Sequence, residues 1–471
     1  MLGVNSYSVT SQEFNCQQEF AWVKKTFTEN DAGFDYTLSI KGESAYRLHT
    51  ENIEQSLKNT DIIHCEQLIK EWLVFFRGGH WSIRQITTDE KKVLSDEEIR
   101  EKFKNWPTLD IDVDKFKKKH ADKKSKDYEG VWSSPPYVVG IKKMDNSYTG
   151  FIIDSESPYW SSKQVKLTID GQGKALFYYR DHSEGHFDRV EMIGNNHLLI
   201  GDIHLARLDP IEKDSEEIER YFRLLNSDQP FFEILDKNTS YIRIPSFSSQ
   251  YRHDINKVIS DNKEHVMQRE NLLIDIRYNG GGSDSSYKPL LPFLYTNPIR
   301  TVGVEFLSTP LNNKRMIDFI TDPSYNLTDD EKKWAKDSFD NLSSKLGEFV
   351  SLNEMPVDIT EYAEVLPKPN NIAILINHAN GSTAEQFLLA AKQSKKVKLF
   401  GTTTAGVLDI SNMYFVDSPS GNYKLGYSLS KSKRIPHMTI DEKGIQPDYY
   451  IDPTIKEYQW IEFVRNTLKD G

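Results

Sequence analysis

The stretch Ala373-Ile-Leu-Ile-Asn-His-Ala-Asn-Gly-Ser-Thr-Ala-Glu-Gln-Phe decides how this chain is read. An apolar run of strand length enters a glycine turn, and Ser382 then opens an apolar helical pattern. A run without polar alternation marks a strand buried on both faces, as in parallel sheets. A serine at that turn stands at a helix N-terminus, beside free backbone N–H groups and the positive end of the helix dipole. Negative charge developing on a carbonyl oxygen during nucleophilic attack is stabilised there, and one such donor is worth on the order of 10²–10³ in rate. The spacing Ser382-x-x-Glu385 is equally that of a capping box, which requires no catalysis. This segment alone leaves both readings open.

Working outward, strand and helix patterns alternate through the C-terminal half. Tyr241-Ile-Arg-Ile-Pro reads as a strand, Asp254 to Arg269 as a helix, and Leu272-Leu-Ile-Asp-Ile as a buried strand. Ser285 to Tyr295 reads as helical, and Lys396-Val-Lys-Leu-Phe-Gly as a further strand. Such alternation predicts an α/β architecture with helices covering a sheet. The strand before Gly280-Gly-Gly ends in a turn that lets another backbone approach and leaves N–H groups facing a cleft. It continues neither as a phosphate loop nor as a dinucleotide fingerprint.

From Tyr128 to about Asp209 the period is two, with turns such as Asp170-Gly-Gln-Gly, as expected of an antiparallel sandwich or barrel. His182 and His186 bracket a glycine there, and the pattern favours a hairpin turn over a metal pair. Residues 14–76 are largely helical by their three- and four-residue spacing, and Arg77-Gly78-Gly79 breaks the last helix immediately before His80. The charged stretch 90–127, with Lys115-Phe-Lys-Lys-Lys-His and Asp122-Lys-Lys, reads as a solvated helix or linker. Three parts follow: a helical region 1–127 carrying His80, a β-rich domain 128–210, and an α/β domain 211–471.

The whole chain of 471 residues, 38% hydrophobic and 27% charged, has the balance of a folded protein. Its net charge of -11 argues against nucleic acid as a partner, since a phosphate backbone needs a basic face. No run reaches the ~18 apolar residues of a transmembrane helix. Met1-Leu-Gly-Val-Asn-Ser-Tyr lacks the basic end and apolar core of a signal peptide. The two cysteines, Cys16 and Cys65, fit either a pair of reduced core thiols or one disulfide, and spacing does not decide.

Taken jointly and in order, the motifs resemble those of the C-terminal processing, or tail-specific, serine peptidases. The resemblance is to their histidine-using branch, typified by the tricorn core and interphotoreceptor retinoid-binding protein modules. The residues that carry it are Gly79-His80, Asp275-Ile-Arg-Tyr-Asn-Gly-Gly-Gly, Ser382-Thr-Ala-Glu385, Gly401-Thr-Thr-Thr-Ala-Gly406 and Gly444-Ile-Gln-Pro-Asp448. Coverage is clear over residues 236–453, with a shorter match around His80.

By this resemblance Ser382 is the nucleophile and His80 its base. Gly280 or Gly281, with Thr383, forms the oxyanion hole, and Glu442 orients the base side. Val407 stands where the dyad branch carries its lysine, which leaves the proton to His80. Trp81 follows the histidine where the branch has a small hydroxyl residue, so Ser82 is a further candidate to orient the ring. The implied fold is a crotonase/ClpP-like core, the implied substrate a peptide or unfolded protein segment. No metal or organic cofactor is implied, and the implied location is the bacterial cell envelope. The β-rich segment stands where processing peptidases often place a PDZ domain. Two rivals remain at this stage, a binding protein on the same fold that has lost turnover and a hydrolase of small esters or cell-wall peptides.

Overall fold

The computed structural model describes residues 14–58, 60–86, 95–121, 127–325 and 327–469. The N-terminal stretch lacking signal-peptide character and the Asp122-Lys-Lys run lie outside the described residues. The chain forms two compact units: one of residues 1–87, 227–456 and 462–471, the other of 88–226 and 457–461.

The first unit is built on a six-stranded sheet. Its strands in spatial order are Phe231–Ile234, Thr239–Arg243, Asn271–Asp275, Asn371–Ile376, Val397–Gly401 and Tyr449–Tyr450. The first pair is antiparallel and every other pair parallel. Every residue of Thr239–Arg243 and Asn271–Asp275 is buried, as expected of strands covered on both faces, and in the second this shows as the apolar run Leu272-Leu-Ile. Helices Arg252–Met267 and Thr383–Ala391 bury Ile255, Ile259, Phe387 and Leu388 against Ile242, Ile274 and Ile374 of the sheet. Each such side chain contributes about 1.5–3 kcal/mol on burial. The segment expected to be helical over 285–295 is instead two short 3₁₀ turns, Asp284–Ser286 and Lys288–Leu290, and a four-residue helix, Leu291–Leu294. Pro289 and Pro292 remove the backbone donors a continuous helix would need.

A second sheet in the same unit carries Ser82–Gln85, Tyr423–Ser432, Val304–Leu307 and Phe349–Val350 in that order, with Ile410–Asp417 also antiparallel to Tyr423–Ser432. The helices Cys16–Asn30, Phe34–Lys41, Glu43–Ser56 and Ile62–Val74 are not a region apart. Phe20, Phe27, Trp72 and Phe76 share one core with Tyr423, Leu425 and Tyr427 from the far end of the chain. The partition into a helical 1–127 and an α/β 211–471 differs here because the apolar face of these helices is covered by a strand some 350 residues away. Cys16 and Cys65 are joined in a disulfide that ties the first helix to the fourth.

The second unit is a nine-stranded antiparallel sheet. In spatial order it runs Glu184–Phe187, Ala175–Tyr178, Val165–Ile169, Ser147–Ser155, Tyr137–Met144, Gly130–Ser134, Ile203–Asp209, His197–Ile200 and Val190–Ile193. Trp132, Val139, Ile152, Leu167, Leu198 and Leu205 form its core. The basic run at Lys115 lies on the helix Val113–Ala121, which buries Phe116 and His120 and leaves its lysines exposed. His182 and His186 lie on the hairpin of Ala175–Tyr178 and Glu184–Phe187. His182 is buried between the Trp160 and Phe103 rings, and His186 is exposed beside Glu184.

Candidate active site

Ser382 sits where the parallel strand Asn371–Ile376 passes through a turn into the helix Thr383–Ala391. Its backbone has φ 55° and ψ -125°, a region costly for a residue with a Cβ, of order 1–3 kcal/mol. The turn is held by Asn380, whose side chain donates to Ile276 O at 2.5 Å and Asn279 O at 3.1 Å and accepts from Asn377 N at 2.7 Å. Ser382 N–H donates to Val407 O at 3.0 Å. The hydroxyl does not cap the helix. Glu385, the other half of the supposed capping box, turns instead to the loop 404–407. It accepts from Thr404 Oγ1 at 2.5 Å, Gly406 N at 2.7 Å and Val407 N at 2.9 Å. The spacing that suggested a cap thus serves two other ends.

His80 approaches from the N-terminal side: its Nε2 lies 3.1 Å from Ser382 Oγ, across 302 residues of sequence. Its Nδ1 lies 2.6 Å from the carbonyl oxygen of Ile410. A carbonyl only accepts, so Nδ1 carries the proton and Nε2 presents its lone pair to the serine. Burial pushes the imidazole down from 6.5 to about 4; the Ile410 carbonyl opposes the shift and the Arg77 charge adds to it. The ring is therefore neutral at neutral pH.

The turn bearing His80 is itself strapped down. Arg77 donates to Gly79 O at 2.9 Å and His80 O at 2.7 Å, and forms a buried two-pronged ion pair with Asp31 at 2.6 and 2.7 Å. Ser428 Oγ donates to His80 O at 2.9 Å, and its N–H donates to Asp31 at 3.0 Å. Val407 fills the space between the histidine and serine turns. A Cβ placed on Gly79 would come within 2.8 Å of it, and one on Gly381 within 2.6 Å.

The residues expected to orient His80 stand elsewhere. Glu442 is exposed over 57% of its side chain and pairs with Lys41 at 3.6 Å. Ser82 lies in a strand opposite Gly426, and neither it nor Glu442 bonds to the ring among the described residues. The carboxylate that matters for the ring is one position earlier. Asp441 accepts from Leu408 N and Asp409 N at 2.6 Å each and from Ile410 N at 3.1 Å, which fixes the strand start whose carbonyl holds Nδ1. Asp409 in turn accepts from Arg434 Nε at 2.9 Å, Ile440 N at 2.6 Å and Asp441 N at 2.9 Å. Sequence reasoning missed Asp31, Arg77, Ile410, Asp441 and Ser428. Only Arg77 and Asp441, each within three residues of a motif residue, lay where a search could have begun.

The glycine turn backs directly onto the serine. A Cβ on Gly281 would lie 2.7 Å from Gly381 O and 2.8 Å from Ser382 Cβ and Thr383 N, and its φ is +105°. Gly281 N–H is taken by Asn279 Oδ1 at 2.9 Å. Gly280 N–H and Thr383 N–H, by contrast, meet no acceptor among the described residues. His80, Ser382 and Thr383 line a cleft of about 730 Å³ whose walls include Phe306, Met316, Phe319, Met413, Phe415 and Leu429.

A poised hydroxyl, a neutral base and unspent amide donors beside an apolar cleft belong, as a class, to serine hydrolases. Residues 238–451 match the family described as Peptidase family S41. Over that stretch the chain is similar to the family, and its activity is that of a serine-type peptidase. Among solved structures it is similar to mature CPAF, with 13% identity, 97% of this chain and 96% of that one covered, and a TM-score of 0.50. Mature CPAF complexed with lactacystin gives 13% identity, 97% coverage of both chains and a TM-score of 0.51. At such identity the likeness is one of fold. No curated protein matches the sequence.

Proposed function

We propose that Ser382 and His80 carry out peptide-bond hydrolysis through an acyl-enzyme, with Gly280 and Thr383 amides as the oxyanion hole. The observation that carries this reading is the 3.1 Å approach of His80 Nε2 to Ser382 Oγ, with Nδ1 already committed to Ile410 O. Ser382 Oγ attacks the substrate carbonyl carbon as its proton passes to His80 Nε2. The oxyanion is received by the two free N–H groups. The imidazolium then gives its proton to the leaving amine, and water repeats the sequence on the ester. A backbone carbonyl stabilises the imidazolium less than a carboxylate does.

The core is read as crotonase/ClpP-like, supported by the parallel sheet and the helix that begins after Ser382. The substrate is an extended or C-terminal protein segment that places an apolar side chain against Phe306, Phe319 and Phe415. The location is the bacterial cell envelope, and the Cys16–Cys65 disulfide supports an oxidising compartment. The test is digestion of an unfolded protein by wild type and Ser382→Ala, with the products sequenced by mass spectrometry. The reading expects cleavage beside apolar residues by wild type alone. Turnover of small esters with no cut peptide bond would contradict it.

A further inference from the structure

A second cavity, of about 530 Å³, lies wholly within the β-rich unit and opens onto the side chain of Lys166. Lys166 stands on the strand Val165–Ile169 and is only 1% exposed. Its ammonium sits 3.9 Å from the centre of the Trp160 ring, 4.2 Å from that of Tyr137 and 4.9 Å from that of Phe177. One of its three donors reaches Tyr179 O at 3.2 Å. No carboxylate forms an ion pair with it among the described residues. An aromatic cage favours a cation but satisfies no N–H, and an unmet buried donor costs about 1–3 kcal/mol.

The rest of the cavity repeats this pattern. Tyr137 and Ser157 are each 8% exposed, and their hydroxyls have no hydrogen-bond partner among the described residues. Ser157 lies close enough to oppose the rise that burial gives the Tyr137 phenol, yet the pair does not reach hydrogen-bonding geometry. Arg180 lines the same cavity, with its guanidinium over the Tyr159 ring. An ammonium, a phenol, a seryl hydroxyl and a guanidinium all offer hydrogen to one space. Phe177 and Ile203 supply an apolar wall.

We propose that this cavity binds the carboxylate of a ligand bearing an apolar or aromatic side chain, with Lys166, Tyr137 and Ser157 as donors and Arg180 at the rim. Glu156 also lines the cavity and disfavours a dianion such as phosphate. The carboxylate could come from a free acylated amino acid or from the end of a polypeptide, which share this chemistry.

Burial lowers the Lys166 amine to about 7, and the Asp181 charge opposes the shift. The other titratable or charged groups around it are Tyr137, His182, Arg180 and Glu156. His182 is itself pushed down to about 4, so it stays neutral across the range concerned. Carboxylate affinity therefore falls as pH rises through about 7, where the ammonium is lost.

The test titrates the full chain with N-acetyl-L-phenylalanine, following heat and tryptophan fluorescence. The same titration is made with N-acetyl-L-phenylalanine amide, and with a peptide ending in phenylalanine as acid and as amide. The proposal expects each acid to bind at least tenfold tighter than its amide, with affinity declining above neutral pH. Lys166→Met, which keeps the cage filled, should remove binding, and Arg180→Ala at the exposed rim should weaken it severalfold. Binding of the peptide acid identifies a polypeptide end as the source, and binding of the small acid alone a free metabolite; both support the site. Equal affinity for acid and amide would overturn it, as would binding unchanged in Lys166→Met, which would place the ligand in the Ser382 cleft. Should Lys166→Met fail to fold, Arg180→Ala and Ser157→Ala decide, and unchanged acid binding in both overturns the proposal.

Discussion

At the scale of single residues, the proposed chemistry rests on a histidine kept neutral by its surroundings. Only the neutral ring accepts the serine proton, so activity is lost where His80 becomes charged. Burial has pushed that point down to about 4. The acidic limb of kcat/KM should therefore fall near pH 4 rather than near 6.5, and a limb near 6.5 would show a ring far better solvated than this one. The same shift has a stability sign. The unfolded chain binds a proton to this histidine below about 6.5 and the folded chain only below about 4, so His80 lowers stability as pH falls through that window. Gly281 makes a different residue-scale claim. A methyl there would meet Gly381 O, Ser382 Cβ and Thr383 N at 2.7–2.8 Å at a φ of +105°. Gly281→Ala should lower kcat by on the order of 10²-fold in a protein with unchanged far-UV circular dichroism. Near-wild-type kcat would contradict the close approach of the two turns.

At the scale of elements, the site is an agreement between loops. Asp441 gathers three backbone N–H groups of residues 408–410, and through them places the carbonyl that holds His80. Such charge-assisted bonds are worth about 1.5–3 kcal/mol each. Asp441→Ala should reduce kcat at least tenfold and lower Tm, whereas Glu442→Ala, at an exposed pair with Lys41, should leave both nearly unchanged. The reverse ranking in steady-state kinetics would restore the role expected for Glu442. This pair also shows what sequence could and could not yield. The strand–turn–helix around Ser382 was legible because buried parallel strands are apolar throughout and glycine marks the turn. The group that orients His80 was not, because a main-chain carbonyl has no side-chain signature and any residue at position 410 supplies one. The motif led to the neighbourhood but not to Asp441, since an exposed carboxylate and a half-buried one look alike in sequence.

At the scale of the whole molecule, the first helices and the last strands share one core, and this brings His80 to Ser382. Alternating strand and helix signals revealed the α/β sheet, while the docking of helices 16–74 onto Tyr423–Ser432 stayed hidden because amphipathic faces do not name their partners. The Cys16–Cys65 disulfide closes a loop of 49 residues within that bundle. The chain-entropy relation values this at about 4 kcal/mol, so reduction should lower Tm by several degrees and Cys65→Ser should reproduce the effect. A Tm indifferent to reductant would mean that the bundle stands without it. The most direct test of the whole account is labelling with a fluorophosphonate, followed by mass mapping of the adduct. Wild type should carry the label on Ser382, Ser382→Ala should carry none, and His80→Ala should react slower by about 10²–10⁴-fold. A label on another residue, or a rate indifferent to the loss of His80, would contradict the meeting of the two ends of the chain on which the mechanism depends.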